Sequence, residues 1–298
     1  MKPMRAPSHG PASGDSAAPN GAPPPLRLAV CSWSLRPDDP AALVAAVRRL
    51  GLDAIQLALV PAVEEPRRWG DIFARLADAG IAPVSGMLAT VGEDYSTLKT
   101  IELTGGVRPT ATWPATRDLA ARVSDLAAER GIPLVTFHAG FIPHDRDDPA
   151  RAIVLERLRS IVDRASDVGV AVAFETGQES AETLLAALAD LDRPVGINFD
   201  PANMLLYGMG DPIEAIEALA GAVVQVHAKD ALPSSAAGAW GREVPIGAGA
   251  VDWIAFIDRV RRLPRSVNVV IEREAGESRE EDIARGIALI RGIDSTSR

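Results

Sequence analysis

Glu175, Asp200, His227 and Glu272 each end a short apolar run in the second half of a 298-residue chain, and His138 ends another in the first half. Three carboxylates and one imidazole make a hard, oxygen-rich donor set. Such a set suits Mn²⁺, Mg²⁺, Co²⁺ or Zn²⁺ better than copper or an iron–sulfur cluster, and it leaves room for oxygen ligands from a substrate. Taken singly, each residue has an ordinary explanation as a solvated loop carboxylate, the cap of a following helix, or a strand-end histidine. Taken together they are harder to dismiss. Carboxylates converging on one point repel and shift one another's protonation unless a cation or proton neutralises them.

Whether they converge depends on the elements that carry them. Eight β-type runs alternate with amphipathic stretches: Leu28 to Ser32, Ala54 to Leu59, Ala82 to Met87, Leu134 to His138, Val170 to Glu175, Val195 to Asp200, Val223 to His227 and Asn268 to Glu272. The intervening segments, such as AALVAAVRRLG, TRDLAARVSDLAAERG and VDWIAFIDRVRRL, have helical periodicity and mostly end at Gly or Pro; a last helix is expected from about Glu280 to Arg291. Eight strand–helix units of about 34 residues predict an α/β fold, a (β/α)8 TIM barrel in a single domain. A doubly wound sheet is the competing architecture. It would carry a glycine-rich phosphate turn after its first strand, where this chain reads CSWSLRPDD.

Strand side chains alternate with period two, so each terminal polar residue marks a face. Glu175 shares its face with Ala173 and Ala171, Asp200 with Asn198 and Gly196, His227 with Gln225 and Val223, Glu272 with Val270 and Asn268, and His138 with Thr136. The opposite faces, including Val172, Phe174, Ile197, Phe199, Val226 and Ile271, are apolar throughout. In a barrel the apolar face packs on the helices and the other points inward, which places all five polar residues at the inner C-terminal rim.

The flanking segments complete a pocket. Asn203 lies three residues after Asp200 and can reach back over the site. Lys229 has the parity of His227 and either meets substrate oxygens or forms a salt bridge with a nearby carboxylate. The connection from Ala231 to Ala250 is long enough to be a lid, with Trp240 and Arg242 as its substrate-facing residues, or else an ordinary surface loop. Trp33 and Trp113 are candidates for an apolar wall or for core packing.

Composition narrows the functional classes. The chain is 47% apolar with 31 Lys plus Arg against 40 Asp plus Glu, a formal charge of -9, which argues against nucleic acid as a partner. Aromatics at 4% argue against base-stacking platforms, and Cys31, the lone cysteine, excludes an internal disulfide framework. No apolar run is long enough for a membrane span. Residues 1–25, with seven Pro, three Gly, five Ala and three Ser, predict a disordered tail; it has a basic start but no apolar core, so a signal peptide is not expected. The barrel is then assigned to residues 26–298 and a cytoplasmic location is expected, with self-association into a homo-oligomer left open.

The runs TFHAGFIP, AFETGQES, NFDPANMLLYG, VQVHAKD, GREVPIGAGAVDW and VIEREAG, in this order, resemble the sugar phosphate isomerase/epimerase family of the xylose-isomerase-like TIM barrels (AP endonuclease family 2). The likeness runs from about Leu26 to Gly292. It implies that Glu175, Asp200, His227 and Glu272 bind one divalent ion, often manganese in the epimerase branch, and that Glu175 and Glu272 are the acid/base pair. Two departures matter. Ketose epimerases usually have a histidine where Asn203 stands, and the acidic residue common on strand two is Gln56, which removes a polar anchor of that type. The endonuclease IV branch, with three zinc ions and many histidine ligands, does not fit a chain with four histidines.

The expected chemistry is therefore divalent-metal-dependent isomerisation or epimerisation of a small sugar or keto-polyol. A dehydratase acting on a keto-sugar or inosose with the same site, and a non-catalytic sugar-binding barrel, are the alternatives. No glycine-rich phosphate cradle is evident, so a free sugar or a glycoside-derived keto-sugar is preferred to a sugar phosphate.

Overall fold

The computed structural model describes residues 24–235 and 239–296. Most of the expected tail, residues 1–23, lies outside the described residues. Eight parallel strands, β1 (Leu28–Cys31), β2 (Ala54–Ala58), β3 (Ala82–Met87), β4 (Leu134–Phe137), β5 (Ala171–Glu175), β6 (Val195–Phe199), β7 (Val223–Ala228) and β10 (Asn268–Ile271), close into a barrel. β1 pairs with both β2 and β10. The predicted runs match these strands to within a residue or two at their ends. A two-stranded antiparallel hairpin, β8 (Asp230–Leu232) and β9 (Arg242–Val244), was not expected and occupies the long connection after β7.

Local chemistry explains where helices begin. An Asp-Pro pair opens four of them: Asp39, Asp148, Asp200 and Asp211 accept bonds from backbone N–H groups one or two residues into the helices that start at Pro40, Pro149, Pro201 and Pro212. The carboxylate satisfies donors that have no partner inside the helix, and proline supplies the required φ where no N–H is needed.

The predicted faces are observed. Val172, Phe174, Ile197, Phe199, Val226 and Ile271 belong to one large core between barrel and helices. Inside, Ala29, Cys31, Ala54, Val84 and Val270 form a separate small apolar cluster. Above it lies a buried polar layer that includes Gln56, Thr136, Asn198, Gln225 and His227. Small and polar residues fill the interior because converging strands leave little room there. No helix among the described residues is long and apolar enough to cross a membrane.

Candidate metal centre

Glu175 closes β5, Asp200 follows β6, His227 lies near the end of β7 and Glu272 follows β10, so four strand ends aim at one point. One donor atom from each lies within 4.8 Å of the others, and all four residues are buried. His227 Nδ1 stands 3.4 Å from Glu175 Oε1, 3.4 Å from Glu272 Oε2 and 3.7 Å from Asp200 Oδ2.

The remaining atoms of these residues are already committed. Asp200 Oδ1 accepts from Ala202 N and Asn203 N, so the helix-capping explanation holds for one oxygen. Its Oδ2 has no hydrogen-bond partner among the described residues, and neither does His227 Nδ1. Glu272 Oε1 accepts from Trp33 Nε1 at 2.7 Å, while Oε2 is ion-paired with Lys229 Nζ at 3.0 Å. Glu175 Oε1 accepts from Asn203 Nδ2 at 3.0 Å and Oε2 from Asn198 Nδ2 at 3.3 Å. Buried polar atoms seldom go unpaired, so lone pairs left pointing at a common centre fit a divalent cation.

Electrostatics follow from this crowding. Burial opposes ionisation of Glu272, yet Lys229 and His227 hold its carboxyl well below the usual range. Burial likewise raises Glu175, but His138 and His227 outweigh it and the net shift is downward. Asp200 goes upward because burial dominates over the attraction of Lys229. The Lys229 ammonium is disfavoured by burial but retained by Glu272, Glu274 and Asp200.

A cavity of about 790 Å³ opens from this cluster, and Trp33, His138, Asn203, Lys229, Trp240 and Glu272 are among its walls. His138 Nε2 lies 3.5 Å from Glu175 Oε1. Lys229 forms the anticipated salt bridges, to Glu274 at 2.7 Å as well as to Glu272. Arg242 is placed differently: it is exposed on β9 and does not line the cavity, whereas its neighbour Glu243 does. The antiparallel pairing of β9 with β8 sets that alternation. Trp113 is also absent from the lining, and its ring lies under the Arg157 guanidinium at 5.4 Å.

Two contacts escaped sequence reasoning. The indole of Trp33 bonds Glu272, and Gln56 Oε1 sits 2.7 Å from His227 Nε2. Gln56 therefore holds a member of the cluster even though it is not the acidic anchor expected on strand two. Parity along β2 was the available signal, since Gln56 shares the face of the buried Ala54.

Residues 44–293 match the model of the family described as the xylose isomerase-like TIM barrel. No curated protein matches the chain significantly. Among solved structures, a xylose isomerase domain protein from Planctomyces limnophilus is 30% identical over 92% of this chain and 98% of that one, with a TM-score of 0.82. A xylose isomerase-like TIM barrel protein from Mycobacterium smegmatis in complex with magnesium is 19% identical over 92% and 97% of the two chains, with a TM-score of 0.66. A D-allulose 3-epimerase from Methylomonas sp. in complex with D-allulose is 16% identical over 91% and 98%, with a TM-score of 0.67. At those last two identities the likeness is one of fold.

Proposed function

Because the chain belongs to the xylose isomerase-like TIM barrel family, we propose that it is a divalent-metal-dependent isomerase or epimerase of a small sugar or keto-polyol. Glu175, Asp200, His227 and Glu272 would hold one ion, with Mn²⁺ the expected metal, and Glu175 and Glu272 would be the acid/base pair. The observation that carries this is the convergence of four buried donors, with Asp200 Oδ2 and His227 Nδ1 unpartnered among the described residues. The magnesium bound by the M. smegmatis protein and the D-allulose bound by the Methylomonas enzyme support an ion-dependent sugar chemistry here.

A divalent ion at this point would polarise a substrate carbonyl and stabilise the charge that grows on oxygen as a neighbouring C–H proton leaves. The chain's own residues do the proton work. Glu272 is kept ionised by Lys229 and oriented by Trp33, while Glu175 is oriented by Asn203 and Asn198. One glutamate takes the proton and the other returns one. Return to the opposite face of the same carbon is epimerisation; return to the adjacent carbon is isomerisation. His138, Asn203, Lys229 and Trp240 line the space in which the substrate would be positioned.

The test is proton exchange. Incubating the Mn²⁺-loaded protein with a panel of ketoses in D₂O should wash deuterium into one carbon position, read by NMR, and Glu175→Gln or Glu272→Gln should each abolish it. A product lighter by one water would identify a dehydratase instead. Absence of ion binding, together with unchanged stability on adding Mn²⁺, would overturn the metal-dependent reading.

A further inference from the structure

We propose that the sugar held at this centre carries an apolar, ring-sized substituent, so that the substrate is a glycoside of a keto-sugar, with its carbonyl on a carbon other than the locked anomeric one, rather than a free monosaccharide. The proposal rests on the functional reading above and deepens it. The cavity, at about 790 Å³, lies in the upper part of the range that encloses drug-sized ligands. Its groups for fixing a sugar are concentrated at the carboxylate cluster, where His138, Asn203 and Lys229 stand beside Glu175 and Glu272.

Other acidic groups in the lining already have partners. Glu93 accepts from Thr90 and from Gly106 N. Glu243 is paired with Arg273 and accepts from Glu274 N, and Glu274 is paired with Lys229. Ser96 is bonded to Thr100 and the Tyr95 hydroxyl to Glu93, while Val60, Pro61, Leu206, Tyr207 and Trp240 present mainly apolar or aromatic surface to the cavity, with the Trp240 Nε1 donor unpartnered among the described residues. Several sugar hydroxyls pressed against such walls would lose hydrogen bonds to water, with the Trp240 Nε1 donor able to replace one of them. A monosaccharide confined to the polar end would leave the apolar walls wet. An apolar ring attached to the sugar satisfies both ends.

The aromatic wall is built in advance of binding. Tyr207 packs against Trp240 with ring centroids 4.9 Å apart and against Phe141 at 5.8 Å. Tyr207 is the last residue of the helix that Asp200 caps, so the wall and the candidate metal centre share one rigid element. The chain after Trp240 is clamped to that helix, because Gly241 N donates to Leu206 O at 3.0 Å. A Cβ on residue 241 would fall 2.6 Å from Leu232 O and 3.0 Å from Leu206 Cα, so glycine is what permits the approach. A wall that is already ordered does not charge its ordering entropy against the ligand.

The experiment is calorimetric titration of the Mn²⁺-loaded full chain with methyl and phenyl glycosides of glucose, galactose and xylose in both anomeric forms, which lack a carbonyl and so serve as non-reacting binding probes. At least one phenyl glycoside should bind about tenfold or more tightly than its methyl counterpart. Trp240→Ala should bring that ratio down to about twofold or less, and Trp240→Phe should keep most of it. Equal affinities in every pair, no binding by any glycoside, or a phenyl preference untouched by Trp240→Ala would each overturn the proposal. Mn²⁺ titrated without glycoside separates the two ideas: ion binding without phenyl preference defeats the glycoside and spares the metal-dependent reading, whereas failure of ion binding defeats that reading alone.

Discussion

Gln56 Oε1 lies 2.7 Å from His227 Nε2, and this bond decides how the imidazole faces the carboxylates. The other end of the Gln56 amide donates to Thr136 Oγ1 at 2.7 Å, whose own hydroxyl is directed at Met87 Sδ, 3.3 Å away. With the amide held in that sense, Nε2 keeps its proton against Gln56, and the proton that the surrounding carboxylates favour on Nδ1 is the one a metal ion would displace. Asn198 Nδ2 also approaches Nε2, at 2.9 Å, but it has an acceptor in Glu175 Oε2. Gln56 is thus a positioning residue for the candidate ligand.

Gln56→Leu should therefore weaken Mn²⁺ binding by about 10–100-fold, the usual cost of losing such an outer contact. Gln56→Glu, which still accepts from Nε2, should retain most of the affinity. Calorimetry of Mn²⁺ binding, independent of any substrate, decides it; identical affinities in wild type and Gln56→Leu would remove the role.

Lys229 acts as an internal counter-ion for Glu272 and Glu274. Lys229→Met leaves the buried Glu272 carboxylate without it, and the metal-free protein should lose roughly 3 kcal/mol of stability. Saturating Mn²⁺, at about 100 times its dissociation constant, should return about 2.7 kcal/mol. Melting curves with EDTA and with Mn²⁺ measure both. A variant as stable as wild type in EDTA would show that the ammonium does not neutralise the cluster.

Glu179, buried after β5, accepts from Ile142 N at 3.0 Å, and burial raises its carboxyl from 4.5 to about 7. The folded protein thus holds a proton that the unfolded chain releases between these values. The associated stability is complete below about pH 4.5 and is lost as pH rises through about 7. Glu179→Gln should match wild type near pH 4.5 and exceed it at pH 8, by up to about 3 kcal/mol. Denaturant midpoints across this range should diverge; parallel curves would rule the effect out.

Asp230 ties the connection after β7 together, accepting from Ala231 N, Gly247 N, Gly249 N, Val251 N and Trp253 Nε1. Asp230→Ala strands these donors and should cost about 3 kcal/mol or more. Hydrogen exchange should show the loss of protection centred on residues 245–251. Uniform loss across the barrel, with no local excess, would mean the aspartate has no special hold on this loop.

The strands and their inward faces were legible in the amino-acid order, and the count of eight strand–helix units then implied the convergence of Glu175, Asp200, His227 and Glu272. Strands and faces depend on interactions within a few residues, through period-two alternation and a polar residue ending each apolar run, whereas the convergence follows from the repeat count and barrel closure. Tertiary structure alone decided what those side chains touch. Gln56 and His227 are 171 positions apart, and Trp33 and Glu272 are 239 apart, so only barrel closure brings them together. The same holds for the hairpin that turns Arg242 outward and Glu243 inward, because its register comes from pairing with β8 and not from any pattern of its own.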